Sequence, residues 1–344
     1  MMIVGCDLHT RYQQIALLDP GSGEVIEKRL EHENGEARAF YAGLPAPARV
    51  GIEATGHTWW FEQMLGELGH ELWFGHAAQV RASAVRQQKT DARDARLLLH
   101  LLVTDRFPRI WVPSPAERDL KQLLWHRHKL VRLRTLLGNQ LHALAMSQGV
   151  CRKKKLFTRK GRAELQALPL GPWAARRREE LLQLWDQVEP SIAALEKAVL
   201  EQAQQHPHAQ RLMSHPGIGP INALAFVLTI GPVERFRRSK QVVSYLGLNP
   251  REHSSGGRQR LGAISKQGNT LVRWLLVEAV QHAVRKDVEL RQDYLRLKFR
   301  RGHAVAKVAI ARKLAVRLYW MLRSGSDYAR LVRMQGSLRA TLVA

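Results

Sequence analysis

Two short apolar, β-rich runs in the first hundred residues each carry a carboxylate at or near their end: MIVGCD at Asp7 and ARVGIEATG at Glu53. A strand that takes an acid into half-buried surroundings must give it a partner, because an unpaired buried charge is costly. The segments around these runs alternate between strand and helix patterns. QQIALLD and EVIEKRLEH flank the turn PGSG and read as a hairpin. A short amphipathic helix opens at Asn34-Gly35-Glu36 and is closed by Pro45 and Pro47. HTWWFEQMLGELG has helical period and stops at Gly69, and HELWFGHAA is a further strand. Basic helical sequence then runs through Lys89 and Arg93 into an apolar helix ending near Val103. The order predicts a mixed α/β sheet with helices.

Asp91 and Asp94 stand three apart at the start of that last helix, so they share a face. If the first and fourth strands are neighbours, Asp7, Glu53, Asp91 and Asp94 converge at one end of the sheet. Converging carboxylates repel one another unless divalent cations lie between them. Oxygen-only ligation selects Mg²⁺ or Mn²⁺, ions that hold phosphate oxygens during phosphoryl transfer. Each acid has an ordinary alternative: Asp91 as a helix N-cap, Asp94 as a first-turn charge, Asp7 at a turn, Glu53 as a cap of the next helix. Two strand-borne acids with few nearby bases except Lys89 and Arg93 make the metal site the simpler account.

The rest of the chain points to a polyanion. Its 344 residues carry 54 Lys+Arg against 30 Asp+Glu, a formal charge of +24. A surplus of that size repels itself unless something negative neutralises it, and nucleic acid rewards each cation by releasing counterions. Charge alone does not separate DNA from RNA, or an enzyme from a binding protein. Cys6 and Cys151 cannot make a disulfide framework, so a reducing compartment fits best. No signal sequence or 18-residue apolar span is visible, which leaves out a membrane.

From Ser114 to Gln148, leucines recur at three- and four-residue steps along one long amphipathic helix. A loop with CRKKK and TRKGR follows, then a second long helix from about Pro172 to His206, interrupted only at Pro190. The pair suggests an antiparallel coiled-coil arm, with a plain helical spacer as the equal alternative. HisProGlyIleGlyPro, residues 215–220, resembles the hairpin of helix–hairpin–helix DNA-binding modules, with Gly217 and Gly219 freeing the backbone to approach a phosphate. PGIG also serves as a simple tight turn. NPREHSSGGRQRLGAISKQGN then forms a polar loop with Arg251, Arg258, Arg260 and Lys266, in which Ser255 beside two glycines is a candidate nucleophile. On these residues alone, a flexible basic loop gripping phosphates is the favoured reading. Three helices with apolar faces close the chain.

GCDLH, GIEATG, KTDARDA, HPGIG, YLGLNPREHSSGG and ISKQGN together resemble the DEDD transposases of bacterial insertion sequences, the insertion-sequence one-ten class that includes Piv-type invertases. The resemblance covers nearly the whole chain. It implies a RuvC-like (RNase H-like) catalytic domain over residues 1–110, a long helical coiled-coil region over 111–207 and a C-terminal transposase domain over 208–344. It places the four metal-binding acids on Asp7, Glu53, Asp91 and Asp94, with Mg²⁺, and the nucleophilic serine on Ser255. Ser254 stands directly before it, so two hydroxyls are on offer. The implied activity is strand cleavage and exchange at donor and target DNA through a covalent phosphoserine, guided by a structured noncoding RNA, in a dimer or tetramer. The implied location is the bacterial cytoplasm, at the nucleoid. Two rivals remain at this point: a RuvC-like nuclease in which a metal-activated water attacks, and a non-enzymatic nucleic-acid-binding protein.

Overall fold

The computed structural model describes residues 1–84, 90–152 and 155–333, in two compact units, 1–112 and 113–344. The first unit is built on five strands: β1 (Ile3–Leu8), β2 (Tyr12–Leu18), β3 (Val25–Glu31), β4 (Arg49–Glu53) and β5 (Glu71–Gly75). Between and after them come α1 (Glu36–Ala42), α2 (Trp59–Glu67), α3 (Ala77–Ala82) and α4 (Asp91–Val103). The sheet order is β3-β2-β1-β4-β5. The hairpin strands β1, β2 and β3 pair antiparallel, while β4 lies parallel to β1 and to β5. The first and fourth strands are therefore neighbours, as the acids require.

Alternation along β1 divides its side chains between two faces. Val4 and Cys6 enter a core with Ile15, Leu30, Ile52, Tyr41 and Phe61. Gly5 and Asp7 point the other way, toward α4. A Cβ on Gly5 would lie 2.2 Å from the Ala95 carbonyl oxygen and 2.3 Å from the Leu99 nitrogen, so only glycine lets α4 lie this close to β1. Buried Ala16, Ala95 and Leu99 pack beside that contact. The helix start, one turn before Ala95, is thereby carried toward the end of β1.

The second unit is helical apart from one hairpin. Its elements are α5 (Pro115–Ser147), α6 (Arg159–Gln166), α7 (Pro172–Gln205), α8 (Pro207–Met213), α9 (Pro220–Ile230) and α10 (Ser239–Tyr245), then β6 (Pro250–Glu252) and β7 (Leu261–Ile264), then α11 (Thr270–Lys286), α12 (Val288–Arg301) and α13 (His303–Arg323). A capping box of Ser114 and Glu117 starts α5. Ion pairs Arg127–Glu196 and Arg134–Glu189 join α5 to α7 in opposite sequence directions, so the two long helices are antiparallel. At one end Leu137, Leu141, Leu181 and Leu182 pack with Leu156 and Leu165. At the other, Leu124, Val199 and Ala203 join the main core formed by α8 to α13.

The segment read as a polar loop is in fact a hairpin: β6 and β7 pair antiparallel, and the serines lie at its tip. Five of the seven residues of its two strands are exposed, so no apolar alternation was there to reveal the pairing.

Candidate active site

The N-terminus of α4 is capped by Thr90, whose hydroxyl accepts from the Arg93 amide at 3.4 Å. That relieves Asp91 of the capping role the sequence allowed it and leaves its carboxylate for other partners. Likewise α2 is preceded by Thr58, not Glu53. Asp91 accepts a hydrogen bond from the Tyr12 hydroxyl at 2.9 Å. His9 Nε2 lies 3.1 Å from an Asp7 carboxylate oxygen and 3.6 Å from one of Asp91. One ligand atom from each of Asp7, His9 and Asp91 falls within 4.8 Å of the others.

Asp7 has only 20% of its side chain exposed. Burial raises its pKa above the ordinary carboxylate range; Asp94 and Asp91 add to the rise, and His9 opposes it. Asp94 is thus close enough to Asp7 to be felt electrostatically. Glu53 is brought to the same sheet edge, because Cys6 pairs with Ile52 and the acids are the next residues on parallel neighbours. Its carboxylate, however, accepts from the Arg81 guanidinium at 3.1 Å and stands apart from the Asp7–His9–Asp91 group. Arg81 is 75% exposed, and such a surface ion pair holds its partner by no more than about 1 kcal/mol.

The donor set suits a divalent cation: two carboxylates and an imidazole face one another. His9 is the residue the sequence reading passed over. Its nearness to Asp7 was legible, since His9 stands two residues beyond it in GCDLH, but its approach to Asp91 was not. Its ring stacks on Tyr12 at 4.7 Å, and the Arg29 guanidinium covers the far side of Tyr12 at 3.6 Å. Lys89 lies outside the described residues, and Arg93 is exposed.

In the second unit Ser255 sits at the hairpin tip, its carbonyl accepting from the Arg258 amide at 3.1 Å. Gly256 and Gly257 follow with φ of +57° and +73°, a left-handed pair that side-chain-bearing residues adopt only with strain. The Ser254 hydroxyl donates to Glu252 at 2.6 Å and accepts from the Arg260 amide at 3.1 Å. Among the described residues, no hydrogen bond engages the Ser255 hydroxyl. Arg251, Arg258 and Arg260 of the same hairpin are exposed. Lys266 is also exposed, and its left-handed backbone (φ +58°) is fixed by donation from its amide to the Gly247 carbonyl at 3.1 Å.

Gly217 has a packing reason for being glycine. With φ +86°, an added Cβ would lie 2.6 Å from the Ala283 amide nitrogen of α11. Gly219, by contrast, precedes α9 with open space around it. Of the two glycines proposed to approach a phosphate, only Gly219 has room to do so.

Carboxylates gathered at the strand ends of a mixed sheet, in a chain this basic, fit the class of metal-dependent enzymes that transfer phosphoryl groups on nucleic acid. The model for DEDD transposases of the IS110 type matches residues 4–147, which carry all four acids. The model described as Transposase IS116/IS110/IS902 family matches residues 209–295, which carry the serine hairpin. A probable family 20 transposase of Pseudomonas aeruginosa is 33% identical over 339 residues, covering 93% of this chain and 96% of that protein. The transposase for insertion sequence element IS1111A of Coxiella burnetii is 27% identical over 95% of this chain and 91% of its own length. That for IS1328 of Yersinia enterocolitica is 26% identical over 93% and 96%. The chain belongs to the IS110 family of DEDD transposases, enzymes that move DNA by phosphoryl transfer. A purely non-enzymatic binding role is thereby set aside. Among the described residues, no helix is long and apolar enough to cross a membrane.

Proposed function

We propose that the chain is an RNA-guided recombinase that cleaves and rejoins donor and target DNA with Ser255 as its nucleophile. The single observation that carries this reading is the tip of the β6–β7 hairpin: a hydroxyl with no hydrogen bond among the described residues, on glycine-set backbone, in a hairpin whose Arg251, Arg258 and Arg260 are exposed. Ser254 next to it is engaged by Glu252 and by the Arg260 amide, which favours Ser255 as the attacking group. Ser255 Oγ bonds to phosphorus and loses its proton. The bond from phosphorus to one strand-end oxygen breaks, and that oxygen takes up a proton. The strand stays attached as a phosphoserine until a hydroxyl from another strand end attacks and releases the serine.

Asp7, Asp91, Asp94 and Glu53, with His9, would hold Mg²⁺ or Mn²⁺ in a RuvC-like domain, Glu53 turning from Arg81 to join. A cation held there supplies Lewis-acid stabilisation to phosphate oxygens. His9 orients Asp7 and Asp91, and Tyr12 fixes Asp91 through its hydroxyl. The serine acts with an acidic edge contributed by a partner subunit, in a dimer or tetramer joined through the α5–α7 coiled-coil pair. Lys89, Arg93, Gly219 and Lys266 contact nucleic acid. The surplus of +24 supports a polyanionic partner, and the family resemblance alone supports a structured guide RNA and a place at the nucleoid.

The test is Ser255→Ala in a strand-exchange assay with denaturing gels. Wild-type protein should leave protein bound covalently to a DNA end, and the variant should lose both adduct and joined product. Cleavage and joining by Ser255→Ala at the wild-type rate would hand the reaction to a metal-activated water, and the serine reading would fail.

A further inference from the structure

Helix α12 turns an apolar stripe outward. Val288 is 71% exposed, Leu295 52% and Phe299 94%. At about 100° per residue these three fall within an arc of about 40° and extend along about 16 Å of the helix. Arg291 and Lys298 line one side of the stripe, Arg296 and Arg300 the other, and Arg301 closes its end; all five are exposed. The acids of the same helix are engaged elsewhere: Asp293 pairs with Lys313 of α13 and with Arg296, and Glu289 pairs with Arg317. The opposite side of α12 is anchored by buried Leu290 and Tyr294.

Such a stripe needs an occupant. A second copy of the same face would set Arg against Arg along both flanks. A lipid surface calls for an apolar face of on the order of 100° or wider, not a narrow ridge. A DNA duplex meets both demands, since its phosphates match the flanks and a base step admits an apolar wedge from the minor groove. We propose that α12 is a DNA-docking helix in which Phe299 enters a base step and opens it, while Arg291 and Lys298 on one side and Arg300 on the other grip the phosphates. The wedge favours steps that unstack easily, and it kinks the duplex around the second unit.

The test uses the full-length protein and two 30-base-pair DNA duplexes, one fully paired and one with a central T·T mismatch beside 2-aminopurine, read by fluorescence anisotropy over a salt series. Wild type should bind the mismatched duplex more tightly and raise the 2-aminopurine emission. Phe299→Ala should weaken that binding about tenfold, abolish the emission change and leave the salt slope unaltered. Phe299→Trp should restore both signals. Lys298→Ala should lower the salt slope by about one while keeping the emission change. At an exposed position none of these variants burdens the fold, and thermal melting should confirm it. Wild-type behaviour of Phe299→Ala on both duplexes would overturn the proposal. So would a loss seen only with an RNA hairpin, or a changed sedimentation coefficient without changed DNA binding, which would assign the stripe to RNA or to self-association. The readout is binding alone, so failure here leaves the serine reaction untouched, and the reverse also holds.

Discussion

The acidic edge and the serine hairpin are held in opposite ways. Asp7 stands on a central strand whose other face is buried core, and its neighbours on α4 are set by a helix lying on glycine. Ser255 stands at the exposed end of two short strands, its geometry set by two left-handed glycines and a few backbone bonds. Asp7 and Asp91 are brought together by packing, whereas the serine is placed by backbone conformation. Electrostatic groups gain from rigidity, because they act without reorganising at the moment of reaction. In the reaction proposed for Ser255, a nucleophile gains from standing clear of the core.

The comparison is broken most directly by Asp7→Asn, which keeps the shape and removes the charge. Strand exchange should fall about 10³-fold with the circular-dichroism spectrum unchanged, the order expected when a central electrostatic group is lost. Activity within tenfold of wild type would remove the acidic edge from the reaction. Gly5→Val tests whether packing sets the acids. Its side chain has no room against Ala95 and Leu99, and chemical denaturation should show a loss of about 3 kcal/mol, with activity falling alongside.

The second unit has a buried titrating group of its own. His215 is 1% exposed, its Nε2 lacks a partner among the described residues, and its ring packs on Tyr328 at 4.7 Å. Burial holds its pKa down at about 4, with nearby Arg317 lowering it and Asp287 opposing. The unfolded chain, at about 6.5, takes the proton first, so stability is intact above pH 6.5 and falls as pH drops toward 4. The full loss is about 3 kcal/mol. Replacing it as His215→Gln should flatten that part of the pH profile in thermal melts; an unchanged difference between pH 7 and 4.5 would contradict it. The smallest effect belongs to Ser254→Ala, which loosens the hairpin by about 1 kcal/mol and slows exchange a few-fold while the covalent adduct persists. Loss of the adduct in this variant would reverse the choice between the two hydroxyls.

Much of this was legible in the residues. The strands of the first hundred residues and the long helices follow from periodicity, and the convergence of Asp7 with Asp91 follows from a carboxylate set in an apolar run beside a helix start. What escaped has physical reasons. The role of His9 depends on Asp91, eighty-two positions away, and no local pattern states that the two meet. The attachment of Glu53 to Arg81 is a surface choice that sequence does not encode. The strands β6 and β7 are too short and too polar to show alternation, so their pairing is supplied by the ladder itself. The glycine at 217 was read as an opening toward phosphate, although its need arises from the nearby backbone of α11.

The contact at Gly5 ties chemical competence to completed folding. Until α4 has settled onto the sheet, Asp91 and Asp94 are far from Asp7, and a nascent or partly unfolded chain carries no assembled centre. For an enzyme that moves DNA by phosphoryl transfer, that dependence acts as a safeguard: only the finished domain brings its carboxylates together.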